Sequence, residues 1–318
     1  VAGSVEYQAV RGSVARPVDE PVSLRRIAFG DRPSSAPIVC RGDAPERRWL
    51  AAVALGAQGH YGAAASLLDG LYRDRGTPRA LRAHAAVTRA AHLRQLGGHL
   101  MARGWDAKGL VLATPLASAE RSGGAEAETD PDGLGLAAAR LDALVGLAAD
   151  SVGLTDLEQA DRLLFRAERC VVEHTSWRPA VRLFWVRAEL ALSRGQMSDA
   201  VRHGREAVAR AGVTGSVRHM IKSELILVVA ESTAGLGQDE AVNRLNLLLE
   251  QTRHAGLTTL EWVVNLLLAS TLEVSDATGA RVYQRSVATI LARIRNRTDS
   301  VGRRVFDRSP WVPNLADL

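Results

Sequence analysis

The 318-residue sequence predicts an all-α protein: a right-handed α-solenoid of about six antiparallel helical hairpins. Three observations carry this. Glycines followed within a few residues by an alanine recur at 59, 97, 153, 195 and 237, in steps of 38, 56, 42 and 42. The long step contains Ser118–Gly133, a stretch of linker composition, and without it the period stays near 40. The apolar content, 47% of residues with only 4% aromatic, rests on Ala, Leu and Val, which favour close-packed helices over sandwiches. A period of this length built from two helices marks a stack of helical hairpins.

The elements follow in order. Residues 1–42 mix Arg, Pro, Ser and Gly without periodicity and are expected to be mostly disordered, with a short strand or turn near Val22–Phe29. Arg41-Gly42-Asp43 matches an adhesion tripeptide, but Asp43 with Glu46 three residues on reads as a helix start. The hairpin array spans 43–297. Its turns are Gly59-His-Tyr61-x-x-Ala64, Gly97-Gly-His99-x-x-Ala102, Gly153 leading to Leu157-x-x-Ala160, Gly195-Gln-Met197-x-x-Ala200 and Gly237 leading to Ala241. A glycine past the end of a helix takes a left-handed φ without a Cβ clash, and an alanine lets the next helix cross closely. Thr77-Pro78 and Asp130-Pro131 read as N-caps followed by proline, and Thr155-x-x-Glu158 and Thr258-x-x-Glu261 as capping boxes. A sixth hairpin is expected over Leu257–Val274 and Gly279–Asn296. Residues 118–133 form an acidic loop insertion, and 298–318 a C-terminal tail in which Trp311 either plugs the last hairpin or docks elsewhere.

These residues resemble the tetratricopeptide repeat (TPR). The matching positions are Ala52, Leu55, Gly59, Tyr61, Ala64 and Leu68 in the first unit, and Gly146, Ala160, Leu164 and Ala167 in the third. The fourth unit carries Phe184, Ala188, Ala191, Gly195, Ala200 and Ala207, and the fifth Ile226, Ala230, Gly237, Ala241 and Leu245. The likeness covers about residues 44–250. The units are longer than the usual 34 residues, as in extended versions found in bacterial regulators, and the second departs at Trp105-Asp106. The resemblance implies a concave wall made by the first helix of each hairpin, and recognition of a peptide segment of another protein in that groove. Carried over unit by unit, the groove positions are Glu46 and Trp49; His84, Val87 and Arg94; Arg140, Ala143 and Asp150; Arg182, Trp185 and Glu189; and Glu224, Leu227 and Glu231. Position 184 matches the packing site, so its neighbour Trp185 is expected to face the groove. The resulting function is a scaffold or regulatory adaptor.

Composition excludes other classes. Two cysteines, Cys40 and Cys170, make no disulfide framework. The longest apolar runs, Leu225–Ala230 and Trp262–Ala269, fall far short of a membrane span. The N-terminus has no continuous apolar signal region, so a cytoplasmic protein without a membrane partner is expected. Metal and catalytic motifs are absent: His84, His92 and His99 lack acids at ligand spacing, and Cys170 with His174 reads as a buried thiol near a helix end. No enzymatic activity, metal or cofactor is therefore expected. The net charge of +5 is modest, but residues 281–308 hold eight arginines against two aspartates. Arg281, Arg285, Arg293, Arg295, Arg297, Arg303 and Arg304 form this basic patch, read as a solvated helix face. The alternative is a nucleic-acid-associated transcriptional regulator that uses the basic helix. A homodimer is compatible with the pattern, and an enzyme or small-ligand binder has little support.

Overall fold

The computed structural model describes residues 22–40, 42–114, 130, 132–172 and 176–315. Among them lie fourteen helices and no strand. They are α1 (Leu24–Phe29), α2 (Pro45–Ala57), α3 (Tyr61–Arg73), α4 (Arg79–Gln95), α5 (His99–Ala113), α6 (Leu136–Gly153), α7 (Leu157–Val172), α8 (Trp177–Ser193), α9 (Met197–Gly212), α10 (Val217–Thr233), α11 (Gln238–His254), α12 (Thr258–Leu272), α13 (Ala277–Asn296) and α14 (Ser300–Phe306). Helices α2 to α13 form six hairpins, so the expected solenoid is present and the sixth hairpin falls where the sequence placed it.

The turns show why the glycines recur. Gly59, Gly97 and Gly195 have φ of 81°, 79° and 71°, the left-handed region that closes a helix without a side-chain clash. In the third unit that conformation falls instead on Thr155, at φ 61°. Gly153 is the last residue of α6 and serves close packing, since a Cβ there would lie 2.3 Å from the His99 ring. Thr155 therefore caps nothing, and Asp156 accepts from the Gln159 amide at 3.1 Å in its place. The other expected caps also shift: α2 starts on Pro45 after Ala44, α4 on Arg79 after Pro78, and Leu257 precedes α12 without a side-chain cap. Pro131 lies outside the described residues, and Asp130 caps the Leu134 and Gly135 amides at 2.6 and 2.7 Å ahead of α6.

Packing between successive first helices, α2 to α4 to α6 to α8 to α10, builds the inner wall. The wall curls far enough for the last hairpin to meet the first. Thr259 Oγ1 donates to the Ala57 carbonyl at 3.1 Å, the Gly62 amide donates to the Arg297 carbonyl at 2.8 Å, and Gly59 packs on Ile294. Two flanking segments complete the closure. Over 22–29 the structure has a helix in place of the expected strand or turn. Leu24, Ile27, Ala28 and Phe29 of α1 are buried in the core with Trp49, Leu50 and Leu68, while 30–40 follows without helix or strand. At the other end α14 and residues 309–315 fold back, placing Phe306 and Val312 in one cluster with Tyr61, Leu96 and Leu291. Residues 1–21, the adhesion-tripeptide Arg41, and 115–129 of the acidic insertion lie outside the described residues.

Candidate functional site

The closed turn of the superhelix encloses a cavity of about 490 Å³, within the range of ligand pockets. Every first helix contributes to it, from α2 to α12. Phe29 closes the end where α2, α8 and α10 begin, with its ring 5.6 Å from Trp49 and 6.3 Å from Trp177 and His219. Trp311 and Val312 line the end where α4 finishes. The concave wall is thus present, and the last hairpin and the two flanking segments narrow it to a partly open cavity.

The aromatic side of the cavity is fixed by hydrogen bonds. Trp49 donates its indole N–H to Thr88 Oγ1 at 2.9 Å. Trp185 donates to Ser223 Oγ at 2.8 Å and stacks on His219, with ring centroids 5.4 Å apart and 20° between planes. His219 Nδ1 lies 2.8 Å from Ser216 Oγ. These bonds hold the tryptophans by their polar edges and leave ring surface toward the cavity.

The charges are arranged in three groups. Arg94 reaches Asp150 Oδ1 at 2.7 Å and also contacts Asp106. Burial opposes its charge, but the two acids outweigh it and hold the guanidinium protonated. Burial pushes Asp106 well above the usual carboxylate range against the pull of Arg94. Arg178 and Arg182 share Asp142, while Arg178 also donates to the Asp132 and Gly133 carbonyls at 3.1 and 2.8 Å. Burial opposes ionisation of Asp142, yet the two arginines keep it below the usual range. The third group is Arg218 and Lys222. Their exposed surface faces the cavity and the rest is enclosed, so burial lowers both, Arg218 to about 10.

Of the expected groove residues, the structure brings Trp49, Val87, Arg94, Arg182, Trp185 and Glu189 to the cavity. Trp185 faces the cavity as expected, and half-buried Phe184 packs toward α9, 6.0 Å from His203. The other candidates stand elsewhere. Glu46 is exposed at the start of α2. His84 is fully buried behind Trp49, its Nε2 3.2 Å from the Gly135 carbonyl, and burial lowers it to about 4. Arg140 is half-buried outside the lining. Glu224 and Glu231 turn to the neighbouring second helices: Glu224 pairs with Arg244 at 3.6 Å, and Glu231 with Arg244 at 2.5 Å and Arg205 at 3.0 Å. The corrections at Glu224 and Glu231 have one cause, the rotational phase of α10. Its cavity stripe is Arg218, His219, Lys222, Leu225, Ile226 and Val229, a helical spacing on nearly the opposite face from 224 and 231. An i, i+4 spacing applied from Arg218 runs through Lys222 and Ile226 along this stripe.

The basic patch lies outside. Arg281, Arg285, Arg293, Arg297, Arg303 and Arg304 are exposed, and Arg295 is paired with Asp307 at 2.6 Å. Among the described residues there is no cluster of metal-ligating side chains and no helix long and apolar enough to cross a membrane.

No protein-family profile and no curated protein matches the sequence. The fold, however, matches solved structures. One is a Rap protein complexed with competence and sporulation factor, 14% identical, with a TM-score of 0.56 over 80% of this chain and 65% of that one. Another is the Rap conjugation gene regulator of plasmid pLS20 in complex with the Phr* peptide, 14% identical, with a TM-score of 0.55 over 83% of this chain and 72% of that one. The chain therefore spans less than two-thirds of the length of the first. The TPR-like helical-repeat architecture is shared with these regulators.

Proposed function

We propose that the chain is a regulatory adaptor that binds a short peptide segment of a partner protein inside the superhelix. The observation that carries this reading is the partly open cavity with tryptophan surface and fixed charges, built from the inner helix of every repeat. Its volume narrows the ligand. An extended peptide of a few residues fits a cavity of this size. A solved structure of the same fold is described as a complex with a peptide, which supports the reading.

The test is a titration of purified protein with pooled tetra- to hexapeptides, read by tryptophan fluorescence and native mass spectrometry. A one-to-one complex weakened about tenfold or more in W185F supports the proposal. Peptide retention that W185F and R182Q leave unchanged overturns it.

The nucleic-acid reading keeps one observation, the exposed arginines of α13 and α14. Binding there would fall steeply with salt. A labelled duplex that shows no shift at 50 mM salt removes it. Light scattering decides whether the chain pairs with a second copy.

A further inference from the structure

The cavity has more positive than negative charge. Arg94, Arg178, Arg182, Arg218 and Lys222 line it, against Asp142 and Glu189. Arg94 is answered from behind by Asp106 and Asp150, and Arg178 and Arg182 by Asp142. Arg218 and Lys222 have no hydrogen bond or ion pair with an acid among the described residues. Lys222 Nζ sits 4.5 Å from the Trp185 ring centroid, a weak contact for a full charge, and Glu189 acts on it only from beyond ion-pair distance. Arg182 repels both. Two largely enclosed cations one turn apart on α10, neither paired with an acid, are unfavourable in a folded protein. Nothing else at this place explains them, since the inner surfaces of Leu225, Ile226 and Val263 around them are apolar.

We infer that the cavity takes a ligand with an anionic group, seated between Arg182, Arg218 and Lys222, on an apolar body that lies against Trp185 and Trp262. This rests on the reading of the cavity as the binding site and adds the ligand's chemistry to it. The anionic group is a carboxylate or its equivalent, borne by the free end of an apolar peptide or by a small organic acid. Its entry restores the missing counter-charge in a low-dielectric site, where ion pairing is strongest. The neighbouring tryptophan faces take the apolar part. Burial lowers Arg218 in the empty protein, and a bound anion reverses that direction.

The experiment compares two dyes with one aromatic body, anilinonaphthalenesulfonate and the neutral phenylnaphthylamine, on the full chain. The expected result is one site, with the anionic dye at least about tenfold tighter. R218M and K222M should each cut that preference several-fold and leave the neutral dye unchanged, and R218K should retain it. The melting temperature of unliganded R218M should equal or exceed wild type, because an uncompensated charge is gone, whereas a structural arginine would lower it. Equal affinity for the two dyes, a preference that survives in R218M/K222M, or an R218M that melts below wild type overturns the inference.

A second arm names the source. Tetrapeptide pools with a free C-terminal carboxylate, or with a carboxamide, compete with the bound dye, as does dodecanoate. Displacement mainly by the free-acid pool supports a peptide end. Displacement by dodecanoate alone upholds the anionic site and overturns the peptide reading. Acid and amide pools acting equally keep the peptide reading and overturn the anionic one. Failure of both dyes to bind overturns both.

Discussion

The carboxylate of Asp106 on α5 rests against the Cα of Gly146 on α6, where a methyl group would come within 2.2 Å of Oδ2. That contact lets Asp106 share Arg94 with Asp150 and ties three successive helices, α4, α5 and α6, through one guanidinium. Gly146→Ala is expected to cost about 1–3 kcal/mol by forcing the carboxylate away from Arg94. Arg94→Met should cost roughly 3–5 kcal/mol, since it leaves two buried acids without a counter-charge. Urea denaturation of both variants checks the order. An Arg94→Met as stable as wild type would show that the network is not structural.

Stability should fall in mild acid before most carboxylates titrate. Burial holds His84 near 4 and His92 near 3, and His219 well below its ordinary value. The unfolded chain protonates these rings near 6.5, so their contribution is complete above that pH and is lost as pH drops toward 4. The largest slope is about 1.4 kcal/mol per pH unit for each ring. His84 faces Arg178 and Asp142, His92 faces Arg89 and Arg218, and His219 faces Arg178, Arg182, Arg218 and Lys222. Asp106, raised by burial, works in the opposite direction. Asp142 is held low and yields only below about 4. Denaturation at pH 7 and 5.5 should therefore differ by roughly 3 kcal/mol, and His84→Gln should flatten the slope by one ring's share.

Hairpin count and order were legible because a left-handed residue at a helix end selects glycine, and Gly59, Gly97 and Gly195 announce themselves. Closure was not legible. It depends on small rotations summed over six units and on α1 and the tail, whose apolar residues are too few to show a period. Trp185 and Glu189 were placed toward the groove because position 184 matches the packing site of the repeat. The phase of α10 was hidden because apolar residues run round most of it, from Leu225 to Ala230, and leave little contrast between faces. The groove positions carried over for that helix therefore leave out Arg218 and Lys222.

The same turns give a paired test. Gly195 has φ 71° and open space for 4 Å around the position a Cβ would take, so Gly195→Ala is strained by conformation alone and should cost about 1 kcal/mol. In the next unit the left-handed residue is Gly235, and Gly237, which the sequence period aligns with Gly195, is instead the N-cap of α11 at φ −58° with open space. Gly237→Ala should be neutral or stabilise by a few tenths of a kcal/mol. Thermal melts of the two variants distinguish a conformational need from a repeat signature.

Trp185 and Ser223 form a second pair whose coupling can be measured. Trp185→Phe keeps most of the ring but leaves the buried Ser223 hydroxyl without its donor, for about 1–3 kcal/mol. Adding Ser223→Ala removes the orphaned hydroxyl, so the double variant should recover about 1 kcal/mol relative to the sum of the singles. Additive losses would mean that the indole is held by its stacking on His219 instead.

Truncation after Arg308 separates the tail's two roles. Val312 is buried with Leu96 and Phe306, and Trp311 meets His99 edge-on with centroids 5.7 Å apart. Ser309 fills the space beside Gly97, where a methyl group would collide with its side chain. Burying one valine and part of a tryptophan contributes about 2–4 kcal/mol, a fraction of what six hairpins provide, so the shortened chain should stay helical and melt a few degrees lower. Trp311 and Val312 also line one end of the cavity, which truncation uncovers. Dye association measured by stopped flow should then speed up, while the preference set by Arg218 and Lys222, which lie on α10, stays. A slower or unchanged association with the same loss of stability would make the tail a brace for the last hairpin and not a barrier to entry.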